Sequence, residues 1–154
     1  MHDVADDHRV WVFFYGSYIN LDVLAEVDLV PGEYETARLA GFDLRIAPRA
    51  NLVRDELSVV YGILATCRHA ELDRLYTDHA KGKLGETYLP EAVVAEDRRG
   101  CLRPALTYIA PVMEKRAAEG AYIERIAGPA ERFGFPPAYI ERIRSFHAPA
   151  RDGA

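Results

Sequence analysis

The sequence is poor in every feature that would point to metal, membrane or nucleic acid. Cysteine is scarce: Cys67 and Cys101 are the two present, and neither belongs to a CxxC pair or stands at metal-ligand spacing. Each therefore reads as a small buried apolar residue of a reducing compartment. No apolar stretch approaches a bilayer-spanning length, and Met1 to Val10 are acidic and His-bearing where a secretory signal would be apolar; no membrane association and a cytoplasmic location are expected. There is no basic excess either. With 24 acidic against 19 basic residues and a formal charge of -5 spread along the chain, no nucleic-acid footprint exists. Coiled-coil heptads, exposed amphipathic stripes and charge tracts are also missing, which removes the usual advertisements for a protein partner. A small molecule remains. His2, Asp3, Asp6, Asp7 and His8 crowd the amino terminus, but a solvated tail accounts for them without an ion.

What is present suits one globular domain: 154 residues, 49% of them apolar, read as a tail over 1–9, a domain over 10–148 and a second tail over 149–154. Val10 to Phe14 (VWVFF) is a continuous apolar run that stops at Tyr15-Gly16-Ser17, the pattern of a buried strand ending in a glycine turn. Asn20 can cap a short helix from Leu21 to about Val27, and Pro31-Gly32 turns the chain into a second strand near Glu33. Phe42, Leu44 and Ile46 alternate with Asp43 and Arg45, as in a strand with one buried face; Ala47 to Leu57 reads as a loop. Ser58 to Ala65 is a β-branched, aromatic strand in which Gly62 marks a bulge or a close backbone approach.

From His69 to Ala80, Leu72, Leu75, Tyr76 and His79 share one helical face, so His79 points inward, while Glu71, Arg74 and Asp78 take the other. Tyr88 to Glu96 and Cys101 to Ile109 form a hairpin around Asp97 to Gly100. Ala121 to Ile126 and Ala138 to Ile143 repeat the string AYIERI, which predicts two short packed helices; two copies are too few for a solenoid. About five strands come first and helices last, which gives an α+β domain.

Phe14-Tyr15-Gly16-Ser17 directly after the first strand resembles the signature of the gamma-glutamylcyclotransferase-like families. The similarity continues through Ala37-Arg38-Leu39 with Phe42, Val60 to Ile63 before a helix, Tyr88 before a strand, Tyr122 to Ile126, Gly134-Phe135-Pro136 and Tyr139, covering most of residues 10 to 146. The resemblance implies a small mixed β-barrel-like sheet with peripheral helices, and a cleft in which Tyr15, Gly16, Ser17, Tyr18, Ile19 and Tyr88 hold a γ-glutamyl ligand. It implies no metal or organic cofactor. In the family's reaction the substrate's α-amino group attacks its own γ-amide carbonyl, giving 5-oxoproline and releasing an amino acid or amine. Such ring closure needs placement, removal of an ammonium proton and support for an oxyanion; a glycine turn lets backbone N–H groups approach closely enough for the last.

The sequence departs from the family at two places. Tyr18 follows Ser17 where the common signature has asparagine, and ungapped alignment of Val60 to Ile63 and Leu72 to Leu75 sets His79 where the family's catalytic glutamate belongs. Asp78 precedes it and Glu86 follows seven residues on. Three explanations compete. Neutral His79 takes the proton, with Asp78 or Glu86 supplying the charge that attracts the ammonium; or the glycine-bearing loop from Ala80 to Thr87 carries Glu86 into the cleft; or catalysis is lost and a binding module remains. Each of the three residues has a plain alternative: a core His79, a solvated Glu86, and an Asp78 paired with Arg74 on the exposed face.

Overall fold

The computed structural model describes residues 8–147; His2, Asp3, Asp6 and Asp7 and the tail over 149–154 lie outside them. β1 (Arg9–Phe14) is half-buried over Arg9 to Trp11 and fully buried over the apolar Val12 to Phe14. It pairs antiparallel with β3 (Ala50–Arg68) and parallel with β5 (Leu102–Ile109) at Val12 and Leu106. Val12, Phe13 and Phe14 are 0–1% exposed. β2 (Tyr34–Ile46) runs along β3 and touches β4 (Leu89–Asp97), which forms a hairpin with β5. The order β1-β3-β2-β4-β5 thus closes on itself, and the α+β class and barrel-like sheet expected from the sequence are observed.

Residues 47 to 57 are not the loop that their polarity suggested. The chain reverses over Ala47-Pro48-Arg49 and re-enters the sheet at Ala50, so that Ile46, Leu44 and Phe42 face Ala50, Leu52 and Arg54. Backbone pairing to β2, which polar side chains do not prevent, overrides the missing apolar pattern. Irregularity is confined to Asp55 to Ser58, which bulge outward opposite Gly41 (φ +90°) and are held by Asp55, whose carboxylate accepts from the Leu57 N–H and the Ser58 hydroxyl. Gly62 is a close approach: a Cβ there would lie 2.1 Å from the Phe14 carbonyl oxygen. Cys67 is buried, as expected, but Cys101 is exposed beside the β4–β5 turn.

Four helices complete the described chain. α1 (Leu21–Ala25) starts at Asn20, whose side chain accepts from the Asp22 N–H. α2 (His69–Arg74) continues as a π-helical turn, Leu75–Lys81. The wider π turn buries His79 (3% exposed) while leaving Asp78 outside. α3 (Gly120–Arg132) and α4 (Pro137–Arg144) contain the two AYIERI strings and bury Tyr122, Ile123 and Ile126, and Tyr139, Ile140 and Ile143. No helix among the described residues is long and apolar enough to cross a membrane.

Candidate functional site

Where β1 ends, the chain folds into a 3-10 turn, Ser17–Ile19. The Ile19 N–H donates to the Gly16 carbonyl (3.1 Å) and the Asn20 N–H to that of Ser17 (3.0 Å). Both bonds close the turn. The N–H groups of Gly16, Ser17 and Tyr18 have no acceptor among the described residues, and all three residues line one cleft. Three successive free donors at a concave surface can hold a carboxylate or a developing oxyanion. Ile19 stands behind them: its side chain is fully buried and its N–H is spent on the turn.

The rest of the cleft is aromatic. Tyr15, Tyr18, Tyr76, Tyr88, Tyr108 and Tyr122 line it. Their hydroxyls hold the walls together: Tyr15 donates to the Tyr108 carbonyl (2.6 Å), Tyr88 to the Ala50 carbonyl (2.6 Å), and Tyr122 accepts from the Ala50 N–H (2.9 Å). Tyr76 stacks on Tyr108 at 3.8 Å between centroids, with Tyr18 and Tyr88 at 5.5 and 5.9 Å from it. Burial holds the Tyr15, Tyr76 and Tyr88 hydroxyls well above their ordinary range, so they stay protonated. Their ring faces offer an electron-rich bed for a cation. The walls are tight, since the centre of a water molecule can occupy only about 20 Å³ of the cleft.

At one end of this box the Tyr18 oxygen lies 3.0 Å from His79 Nδ1. Burial raises the Tyr18 hydroxyl, the larger cause, with Tyr122 and Glu26 adding to it and Arg49 opposing. A protonated hydroxyl can donate to Nδ1, and that arrangement goes with the neutral His79 tautomer that has its proton on Nε2. Burial also pushes the His79 pKa below 6.5; Glu26 pulls it up, while Lys83, Arg125 and Arg49 push it further down. His79 does not itself line the cleft; Tyr18 stands in front of it.

The sequence matches no family model and no curated protein. Solved structures are similar to it. One is a gamma-glutamyl cyclotransferase, with a TM-score of 0.75 at 18% identity over 96% of this chain and 93% of that one. The uncharacterized protein loc79017 from Homo sapiens gives 0.75 at 18% over 95% and 92%. A yeast gamma-glutamyl cyclotransferase specific to glutathione gives 0.62 at 11% over 90% and 95%. The chain has the gamma-glutamyl cyclotransferase fold.

On that cyclotransferase fold no carboxylate among the described residues lines the cleft. Asp78 is exposed, and its expected partner Arg74 donates instead to the carbonyls of Val27 and Asp28. Glu86 is 7% exposed as a whole residue and lies in sequence between the cleft residues Leu84 and Tyr88. Its N–H bonds to the Ala80 carbonyl (3.0 Å), and its carboxylate has no hydrogen bond or ion pair among the described residues. Sequence reasoning singled out Tyr15, Tyr18 and Tyr88 for the ligand but left Tyr76 and Tyr108 to the core and missed Tyr122. The positions of all three fit a core face as well as a cleft wall, and only the closing of the sheet brings them together. Tyr61 packs elsewhere, against Tyr139 and Phe135.

Proposed function

We propose that the cleft binds a γ-glutamyl compound and cyclises its γ-glutamyl part to 5-oxoproline, releasing an amino acid or amine. One observation carries this reading: three residues with unpartnered N–H groups line a single cleft, and one of them, Tyr18, is hydrogen-bonded through its hydroxyl to His79 behind it. The likeness of fold to a gamma-glutamyl cyclotransferase supports it. The two free cysteines are in keeping with a reducing, cytoplasmic setting.

In this mechanism the substrate's α-ammonium rests on the tyrosine faces, which supply the attraction that the absent carboxylate would give. One ammonium proton passes to the Tyr18 oxygen as the Tyr18 proton moves to His79 Nδ1. The freed amine attacks the γ-carbonyl carbon, and the carbonyl electron pair becomes an oxyanion held by the N–H groups of Gly16, Ser17 and Tyr18. The attacking nitrogen, which still carries two protons after ring closure, gives one of them to solvent; the oxyanion then collapses, the amide C–N bond breaks, and the proton held on His79 returns through Tyr18 to the departing nitrogen. Water is not consumed. A donor of this kind typically contributes about 3–4 kcal/mol to an oxyanion transition state, and general base catalysis a factor of about 10²–10⁴. Glu86 is the second candidate for the base, because it lies in sequence between the cleft residues Leu84 and Tyr88 and its carboxylate has no hydrogen bond or ion pair among the described residues.

A binding module is the other reading, favoured by the lack of any carboxylate facing the cleft and by the lowered basicity of His79. Purified protein incubated with a panel of γ-glutamyl dipeptides and amines separates the two. Release of 5-oxoproline is expected; a ligand-induced rise in melting temperature without product establishes the binding module, and neither response across the panel contradicts both.

A further inference from the structure

Two stretches that the sequence makes conspicuous take no part in the cleft: Gly134-Phe135-Pro136 between α3 and α4, and the β4–β5 turn around Asp97 to Gly100. Both line a second cavity. Ala37 and Arg38 of β2 and Tyr61 of β3 complete its wall, and it shares no residue with the cleft after β1. The centre of a water molecule can occupy about 400 Å³ of it, against about 20 Å³ of that cleft, and small-molecule sites commonly span about 300–1,000 Å³. One side is aromatic. Phe135 lies 5.9 Å from Tyr61 and 5.8 Å from Phe133 between ring centres, and Tyr61 and Phe133 remain partly exposed. Such rings present a stacking surface to a planar ligand.

The other side is charged, with cations in excess. Arg38 takes up Glu96 through two hydrogen bonds of 3.1 and 3.3 Å. The Asp97 carboxylate accepts from the Arg99 and Cys101 N–H groups, 2.9 Å each, and lies 3.7 Å from Arg103. Arg98 is left over: it lines the cavity, is exposed, and pairs with no carboxylate among the described residues. A cationic ligand would find both carboxylates engaged, whereas an anion meets the Arg98 guanidinium, whose fork can hold a carboxylate through two parallel N–H bonds.

We infer that this cavity is a second ligand site and takes a small planar aromatic acid, its ring against Tyr61, Phe133 and Phe135 and its carboxylate on Arg98. The inference is independent of the γ-glutamyl reading of the cleft. Indole-3-acetate serves as the probe, with indole as the ring lacking the acid and acetate as the acid lacking the ring. Calorimetry should give saturable binding of indole-3-acetate to the wild type with a Kd below about 1 mM. Indole and acetate should each bind at least about tenfold more weakly, as expected for the loss of one half of the contact. Arg98→Gln, on an exposed turn, should weaken indole-3-acetate by about tenfold and leave indole within about twofold. Tyr61→Leu should weaken both. In 15N-labelled protein the amides of Arg98 to Gly100 and of Gly134 and Phe135 should shift on titration with indole-3-acetate, and those of Gly16 to Tyr18 should stay in place. Absence of saturable binding overturns the assignment. So do equal affinities for indole-3-acetate and either fragment, or a folded Arg98→Gln or Tyr61→Leu variant that binds as the wild type does. Shifts centred on Gly16 to Tyr18 overturn it as well, by placing the acid in the cleft after β1. Should Tyr61→Leu fail to fold, Arg98→Gln and the amide shifts decide.

Discussion

Gly16→Val is expected to abolish ligand binding, weakening Kd by about 100-fold or more, and to lower the melting temperature as well. A Cβ at Gly16 would lie 2.5 Å from the Ala50 Cβ. Ala50 has no room to yield, because its N–H donates to the Tyr122 oxygen and its carbonyl accepts from Tyr88. The turn must move instead, taking the Ser17 and Tyr18 N–H groups with it. Overpacking of this kind costs about 1–3 kcal/mol, and each kcal/mol lowers Tm by about 2–4 °C in a chain of this size. From the sequence, this glycine serves the close approach of a ligand; the structure adds that the protein's own β3 already occupies the space. Calorimetry and thermal melts on one preparation check both effects, and unchanged affinity in a folded variant contradicts the role of the turn.

The second large effect is on turnover. Tyr18→Phe removes the hydroxyl between cleft and imidazole while keeping the ring, so kcat should fall by about 10²–10³ with KM changed only a few-fold. His79→Gln should cost as much, and the double variant little more, because the two groups act as a unit. The pH profile has a defined sign. His79 accepts a proton only when neutral, and burial lowers its pKa below 6.5, so kcat should rise with pH along a limb centred below pH 6.5 and level off above it. Glu86→Gln should leave the rate near wild type. If instead Glu86→Gln is inactive while Tyr18→Phe and His79→Gln keep their activity, the base is Glu86.

Much of the fold could be read from residues because local pattern and burial agree. The apolar run of β1, the Asn20 cap, the hairpin around Asp97 to Gly100 and the two AYIERI helices each have a short-range cause. The first part of β3 has none: Asn51 to Arg54 mix charge with isolated apolar residues, and they are a strand because β2 lies alongside. The place of the cleft was also legible, since a glycine turn at the end of a buried strand carries its own signal. The company it keeps was not. Tyr76, Tyr108 and Tyr122 come from three elements far apart in sequence. For His79, helical spacing correctly gives an inward side chain but not that Tyr18 intervenes between it and the cleft. The tyrosine in place of the signature's asparagine and the histidine in place of the family's glutamate are thus hydrogen-bonded partners.

The central claim is that the turn after β1 receives the ligand on its backbone N–H groups, and amide NMR tests it most directly. On titrating 15N-labelled protein with γ-glutamylalanine, the amide protons of Gly16, Ser17 and Tyr18 should show the largest downfield shifts in the chain, saturating together, while that of Ile19, already bonded to the Gly16 carbonyl, moves less. Saturable binding that leaves those three amides unmoved and shifts another region instead would contradict the account.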